Sequence, residues 1–536
     1  MRIRLVPLNS TIGSISGNAR AILAAANAAA EDKCELVVFP ELALVGYPPK
    51  DLLDRRDLIR HNIETLEKLR RDLPIPAIVG FVEEENGRLY NAATVLMPEV
   101  SCTRPPDPLP PIRKTHLPTY DVFDEDRWFS RGTPAAPVLV GGKLRLGVSI
   151  CEDLWKEEEP DVLETQAEAG ADLFVNLSAS PFHREKPAER RELLRKKAQR
   201  HRRPVLYCNA YGANDEIIFD GEILVFDDEG RLHVAQIFQK EPVTIETEDL
   251  PAPTPDEDVP WETLTREAIV LGIRDFFRKC GLRTAVVGLS GGMDSALITA
   301  LTARALGPEN VRPYFLPSRF TSDASRRDAE ATAKALGLSL TTIPIQSAVA
   351  AIRRNLEPFL SLEGIAGENI QSRLRGLFLM AAANSTDGAA VLGTGNKSEL
   401  AIGYATLYGD LIGALLPLGD VTKSRSYLLA RRIQEVYPDF PEALFTKAPT
   451  AELRPNQTDE EERLPYNVMD PIIEGFVEEG LTAEELIERG RNPENVRQVR
   501  RWIETAEFKR KQAPPILKVT RRAFGPGWQI PIAAWR

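Results

Sequence analysis

The chain predicts a two-domain α/β protein, and three observations carry that prediction. Its 536 residues exceed what one hydrophobic core usually serves. Short apolar runs alternate with helical patterns along both halves. A stretch rich in proline and acid, Val243 to Pro260, separates the halves with little apolar periodicity and reads as a linker. The balance of 43% apolar and 27% charged residues is ordinary for globular protein. No run approaches the roughly 18 apolar residues of a membrane span, so no membrane association is expected. The start, Met1-Arg-Ile-Arg-Leu-Val-Pro-Leu8, reads as a first strand rather than a secretion leader. A net charge of −11 argues against nucleic-acid binding through a basic face. Five scattered cysteines (Cys34, Cys102, Cys151, Cys208, Cys280) include no C-x-x-C pair. They suit a reducing, cytoplasmic compartment and no zinc site.

In the first half, strands are expected at Glu35–Phe39, Ala77–Phe81, Leu144–Ile150, Asp172–Leu177 and Pro204–Cys208. Three of them end beside a residue able to do chemistry. Val37-Val38-Phe39-Pro40 delivers Glu41, Leu146 to Ile150 deliver Cys151, and Asp172–Leu177 delivers Ser178. In layered α/β folds ligands gather beyond the carboxyl ends of strands. A lone cysteine is usually inert packing; what singles out Cys151 is its company.

In the second half, Trp261 opens a helical pattern that leads to a buried strand, Thr284 to Leu289. Ser290-Gly291-Gly292-Met293-Asp294-Ser295 follows, then a helix of good formers. A strand, a two-glycine turn and a helix N-terminus form a cradle for an anion, with backbone N–H groups and the helix dipole aimed at it. Ser290 and Ser295 add hydroxyls, and Asp294 can hold a divalent cation beside a phosphate. The Walker A pattern is absent; Gly395-Asn396-Lys397-Ser398 only resembles its end. Gly288-Leu-Ser290-Gly-Gly292 matches a serine-hydrolase elbow. That chemistry needs a later histidine, and all five (His61, His116, His183, His201, His233) precede Ser290.

Ser-Gly-Gly-x-Asp-Ser resembles the pyrophosphate loop of N-type ATP pyrophosphatases, which split ATP into AMP and pyrophosphate while adenylating a substrate. Glu41 in Phe39-Pro-Glu-Leu-Ala-Leu, Lys114 in Arg113-Lys-Thr-His-Leu-Pro and Cys151 in Ser149-Ile-Cys-Glu-Asp-Leu-Trp155 together resemble the nitrilase superfamily of carbon–nitrogen hydrolases. That family uses a Glu-Lys-Cys triad in this order. Leu316 to Ala329, Gly367 to Arg375, Val391 to Leu400, Tyr404 to Asp410, Asp420 to Lys423, Ala451 to Asp459 and Lys509 to Pro515 resemble the glutamine-dependent NAD synthetase family.

The resemblance implies an α-β-β-α sandwich over residues 1–245, a linker over 246–260, and a Rossmann-like parallel-sheet synthetase domain over 261–536. It implies a thiolate at Cys151, Glu41 as the base, and Lys114 facing the oxyanion. Tyr120, Glu125 and Ser178 would line a glutamine pocket. Ser290, Gly291, Gly292, Asp294, Ser295, Arg375 and Thr394 would bind ATP. Asp294 and Glu399 would hold Mg²⁺. Glu399, Asp410 and Lys423 would contact deamido-NAD and its phosphates. The reaction implied is amidation of deamido-NAD with ammonia from glutamine, passed between domains in a homo-oligomer. Two other readings stay open: a different ATP-pyrophosphatase amidotransferase, and a catalytically silent binding protein. One departure is visible, since the family often has glutamine where Asn214 stands and serine where Ile223 stands, while Asp215-Glu-x-x-Phe-Asp-Gly221 is intact.

Overall fold

The computed structural model describes the chain except for residues 99–108, 158, 448–451, 455–462 and 535–536. Cys102, Ala451 and residues 455–459 of the segments quoted above therefore lie outside the described residues. The chain divides into two compact units, Met1–Val259 and Pro260–Arg536.

The first unit holds two six-stranded sheets. One joins β1 (Arg2–Leu5), β2 (Leu36–Val38), β3 (Ala77–Glu85), β4 (Arg88–Leu96), β5 (Ile112–Arg113) and β14 (Val243–Glu246) in the order β14-β1-β2-β3-β4-β5. The other joins β6 (Val138–Val140), β7 (Leu144–Ile150), β8 (Leu173–Ser178), β9 (Val205–Asn209), β12 (Ile223–Phe226) and β13 (Leu232–Gln236) in the order β13-β12-β9-β8-β7-β6. Side chains alternate across a strand, and the sequence uses both faces. Ile3, Leu5, Leu36 and Val38 of the first sheet share one core with Val148, Ile150, Val175 and Leu177 of the second. Val37 and Val79 point the other way, into a core with Ile15, Ile22 and Leu66 from helices α1 (Ile15–Glu31) and α2 (Arg56–Asp72). Phe174, Val205 and Tyr207 pack instead with Leu163 of α3 (Val162–Glu168) and Leu194 and Ala198 of α4 (Lys186–His201). The unit is the expected α-β-β-α sandwich. A short hairpin, β10 (Tyr211–Asn214) with β11 (Ile217–Asp220), stands apart from both sheets.

One sequence expectation needs correction. The stretch read as linker begins as a strand: β14 pairs antiparallel with β1, from Arg2↔Glu246 to Leu5↔Val243. Val243-Thr-Ile-Glu246 has strand alternation, which the prolines and acids after it masked. The rest is also anchored, with Asp256 and Asp258 paired to Arg191 and Arg195.

The second unit is built on a four-stranded parallel sheet: β15 (Thr284–Gly288), β16 (Val311–Phe315), β17 (Thr341–Thr342) and β18 (Ala389–Leu392), ordered β17-β16-β15-β18. Its main helices are α5 (Trp261–Lys279), α6 (Met293–Leu306), α7 (Asp323–Ala335), α8 (Gln346–Leu356), α9 (Ile365–Asn384), α10 (Lys397–Ile402) and α11 (Lys423–Gln434). Val286 and Val391 pack with Val349 of α8 and Leu374, Leu379 and Ala383 of α9. The chain leaves β15 toward β16 and β17 on one side and returns to β18 on the other. That reversal makes the carboxyl ends of β15 and β18 a topological switch point, where open α/β sheets bind ligands.

Candidate active sites

In the first unit, three strands deliver their terminal residues to one buried cluster. Glu41 follows β2. Its Oε1 accepts from Lys114 Nζ (2.7 Å) and Asn91 Nδ2 (2.7 Å), and its Oε2 accepts from Ala179 N (2.8 Å), just past β8. Lys114 Nζ also donates to Glu125 Oε1 (2.8 Å), which accepts from Tyr47 OH (2.7 Å) as well. The Lys114 side chain is fully enclosed. Burial pulls its ammonium down, but the charges of Glu125 and Glu41 more than reverse this, and its pKa stands well above the lysine value. Burial pushes Glu125 up to about 7, against Lys114 and with the help of Glu41.

Cys151 begins a one-turn 3₁₀ helix directly after β7, at a left-handed φ of 44°. Asp153 fixes that turn: Oδ2 accepts from Ile150 N (3.1 Å), and Oδ1 accepts from Thr115 N and His116 N (both 2.9 Å). One carboxylate thus ties the Cys151 turn to the Lys114 segment. Burial pushes the Cys151 thiol well above its ordinary pKa, Glu41 adds to the shift, and Lys114 opposes it. The surroundings thus favour the neutral thiol, and the Glu41 carboxylate is within electrostatic reach of it.

The three expected pocket residues differ in setting. Tyr120 is half exposed and donates to Glu152 Oε2 (3.0 Å). Glu125 is enclosed and belongs to the Lys114 cluster. Ser178 is fully buried, its hydroxyl donating to Asn176 Oδ1 (2.8 Å) beneath the sheet end. Asn214, the departure from the family pattern, donates to the carbonyl of Tyr47 (2.8 Å), the residue whose hydroxyl bonds Glu125. Ile223 lies in the core between the sheets.

Tyr47, Asn91, Asp153 and Lys186 were not among the residues singled out from the sequence. Lys186, at the start of α4, sits with Nζ 3.4 Å from the Trp155 ring centre. Burial and Arg190 pull its pKa to about 8, while Glu189, Cys151 and Glu152 pull the other way. Asp153 was readable as the neighbour-but-one of Cys151; the others depend on tertiary contacts alone.

In the second unit, a cavity of about 690 Å³ opens at the switch point. Every residue expected to bind nucleotide lines it: Ser290, Gly291, Gly292, Asp294, Ser295, Arg375, Thr394, Glu399, Asp410 and Lys423. Gly292 ends the loop as the N-cap of α6. Gly291 takes φ 81°, and a Cβ there would run into the Ser325 backbone. Ser295 Oγ braces the turn, accepting from Ser290 N (3.1 Å) and donating to the Gly292 carbonyl (3.0 Å). Lys447, which the sequence did not flag, ties Gly291 O (3.2 Å) to Ser325 Oγ (2.7 Å) and Asp328 Oδ2 (3.1 Å).

After β18, Asn396 and Glu399 cap α10 reciprocally, and Asn396 Nδ2 also donates to Asp294 Oδ2 (3.0 Å). The same oxygen accepts from Lys423 Nζ (2.6 Å). Burial depresses the Lys423 ammonium, but Asp294 and Glu399 hold it far above the lysine value. Arg375 is half-buried, the protein around it lowers its pKa by desolvation, and it donates to the Leu316 carbonyl (3.1 Å). Lys397 of the Walker-like run does something else. It is wholly buried and donates to Asp420 (2.7 Å), Glu478 (2.8 Å), Thr520 Oγ1 (2.9 Å) and the Arg522 carbonyl (2.9 Å), so it is a structural hub.

Among the described residues no group of three or more His, Cys, Asp and Glu is placed to hold a metal. Asp294 Oδ1 is nonetheless buried without a hydrogen-bond partner. Burial and the charge of Asp294 raise Glu399 to about 8, against Lys423. An orphaned carboxylate oxygen beside a second, charge-starved carboxyl suits Mg²⁺, which is typically held by one or two carboxylates and completed by substrate phosphates.

Residues 2–251 match the carbon-nitrogen hydrolase family and residues 265–513 match the NAD synthase family. Among curated relatives, the glutamine-dependent NAD(+) synthetase of Thermotoga maritima is 38% identical, covering 99% of this chain and 98% of the relative. That of Synechocystis sp. is 39% identical over the same shares of each. A solved glutamine-dependent NAD+ synthetase from Acinetobacter baumannii, in complex with ADP, is 30% identical with a TM-score of 0.78, covering 99% of this chain and 98% of that one. One from Cytophaga hutchinsonii has a TM-score of 0.83 at 22% identity, covering 100% of this chain and 98% of that one, a likeness of fold. No described helix is long and apolar enough to cross a membrane.

Proposed function

The chain belongs to the glutamine-dependent NAD(+) synthetase family, and from that premise we propose how its residues divide the work. The overall reaction turns deamido-NAD, ATP, glutamine and water into NAD, AMP, pyrophosphate and glutamate. The observation that carries the residue assignments is the buried Glu41–Lys114–Glu125 cluster against Cys151 in one unit, with a phosphate-loop cavity in the other.

In the first unit, Glu41 takes the Cys151 proton and the thiolate attacks the side-chain amide carbon of glutamine. Lys114 faces the oxyanion that develops. Glu41 returns the proton to departing ammonia, leaving a glutamyl thioester, and then draws a proton from the water that releases glutamate. Glu125 and Tyr47 hold Lys114 in place. Tyr120 and Glu152 would receive the ammonium end of the substrate and Lys186 its carboxylate, with Ser178 supporting the pocket from beneath.

In the second unit, the Ser290–Ser295 loop, Arg375 and Thr394 would hold ATP. Asp294 and Glu399 would hold Mg²⁺, which when bound offsets the charge of the phosphate oxygens. Lys423 steadies Asp294 and neutralises phosphate beside it, and Glu399 and Asp410 contact the deamido-NAD side. Adenylation of the nicotinate carboxylate makes it electrophilic, and ammonia then displaces AMP. A cytoplasmic homo-oligomer belongs to the same reading; Phe359, Ile365 and Leu377 stand exposed on the second unit, and sedimentation of the intact chain reads the state.

The test is NAD formation from deamido-NAD, ATP and Mg²⁺ with glutamine or with ammonium, comparing wild type and Cys151→Ala. The variant is expected to lose the glutamine reaction and keep the ammonium reaction. Glutamine-driven NAD at the wild-type rate in Cys151→Ala would overturn the nucleophile assignment. Absence of NAD from either nitrogen source in wild type would overturn the acceptor.

A further inference from the structure

Behind the Cys151 cluster lies a second buried ionic network that the reaction above does not use. Arg190 of α4 is 1% exposed, and its Nη1 donates to Asp220 Oδ2 (2.5 Å) and Glu222 Oε2 (2.8 Å). Its Nη2 donates to the Ser180 carbonyl (2.9 Å) and Oγ (3.2 Å). Asn209, the last residue of β9, completes a ring. Its Nδ2 donates to Asp220 Oδ1 (2.7 Å) and the Ser180 carbonyl (3.0 Å), and its Oδ1 accepts from Ser180 N (2.8 Å). Asp220 Oδ1 also accepts from Glu222 N (3.0 Å). Asp220 is the aspartate of the intact Phe219-Asp-Gly221 run.

Burying one guanidinium against two carboxylates is expensive. A hydrophobic core could hold the hairpin and α4 at less desolvation cost, so the network's geometry is its distinguishing output. That output is the backbone of Ser180, gripped through its N–H, carbonyl and hydroxyl. The residue before it, Ala179, gives its N–H to Glu41 Oε2 (2.8 Å). Glu41 is bound on its other oxygen by Lys114 and Asn91.

We infer that Asp220, with Arg190 and Asn209, positions the base Glu41 through the Ala179–Ser180 backbone. These are positioning residues, since their side chains bond to one another, to Glu222 and to Ser180, and reach Glu41 only through the backbone. The inference rests on the proposed roles of Glu41 and Cys151. The network holds one donor of the carboxylate in place, so loosening it should disturb proton transfer more than glutamine binding.

The experiment measures glutamate release, with ammonium-driven NAD formation as an internal control, in the intact chain carrying Asp220→Asn, Asn209→Ala or Cys151→Ala. For Asp220→Asn the expected result is a glutaminase kcat lower by about 10- to 100-fold with KM within about threefold of wild type. The loss should persist when kcat is expressed per Cys151 site able to form the thioester, counted by burst titration. A part that merely braced the fold would lower the number of such sites and leave kcat per site at the wild-type value. Asn209→Ala, which strands no buried charge, should show the same signature more weakly, and it carries the test if Asp220→Asn does not fold. Wild-type kcat per titrated site in a folded Asn209→Ala, with Cys151→Ala silent, overturns this inference alone. Glutamate release surviving in Cys151→Ala overturns the reading beneath it.

Discussion

At the scale of single residues, Lys186 is a group whose charge changes close to ordinary pH. Its pKa is depressed to about 8, chiefly by burial and then by Arg190. The amine is a cation below that value and neutral above it, so its hold on a substrate carboxylate is present at neutral pH and is lost as pH rises through about 8. We expect kcat/KM for glutamine to fall on the alkaline side with a limb near 8, while ammonium-driven synthesis shows no limb from this source. Lys186→Met should lose about 10- to 100-fold in kcat/KM at pH 7, the value of one charge-assisted hydrogen bond, and should lack the limb. An unchanged profile in that variant removes Lys186 from the pocket. The sequence could not nominate it: a lysine at the head of a basic helix looks like a solvated charge. Glu41 and Cys151 drew notice as residues that follow strands, Lys114 only through the local pattern Arg113-Lys-Thr-His-Leu-Pro, and the structure brings Glu41 and Lys114 into direct contact. Tyr47 and Asn91 carry no local mark, since their meaning arises from residues 78 and 50 positions away.

At the scale of elements, strand ends and the turns after them were the readable units. Apolar runs bounded by punctuation placed β2, β7, β8, β9 and β15 to within a residue, because buried strands need little else, while β3 runs four residues past the expected Phe81 into an exposed acidic end. β14 was missed since four alternating residues were outweighed by the proline-rich sequence that follows. The same logic makes a sharp prediction for the turn after β15. Gly291 is held at φ 81° against the Ser325 backbone, with Lys447 bonding its carbonyl. Gly291→Ala adds both left-handed strain and a collision with backbone that cannot yield cheaply. NAD formation should fall by about 100-fold or more with either nitrogen source, the effect of displacing aligned groups by an ångström, while glutamate release persists. Near-normal synthesis with ammonium would mean that the loop does not cradle the reacting phosphates.

At the scale of the whole chain, two compact units carry two chemistries joined by a reactive intermediate. Ammonia freed in neutral water becomes mostly ammonium, which is no nucleophile, so coupling is efficient only when the molecule is handed on before it equilibrates with solvent. This requirement comes from chemistry and has no motif, which is why the sequence displays both half-sites and nothing of the transfer. An isotope competition measures it directly. Wild-type enzyme is given glutamine labelled with ¹⁵N at the side-chain amide, together with an excess of unlabelled ammonium, and the ¹⁵N content of the NAD carboxamide is read by mass spectrometry. Transfer within the protein predicts label in NAD well above the ratio set by the bulk pool. Cys151→Ala in the same mixture must give unlabelled NAD, because only the thioester step can free the labelled nitrogen. If label in wild-type NAD instead matches the bulk ratio, ammonia is released to solvent before capture, and the two units work as independent enzymes on one chain.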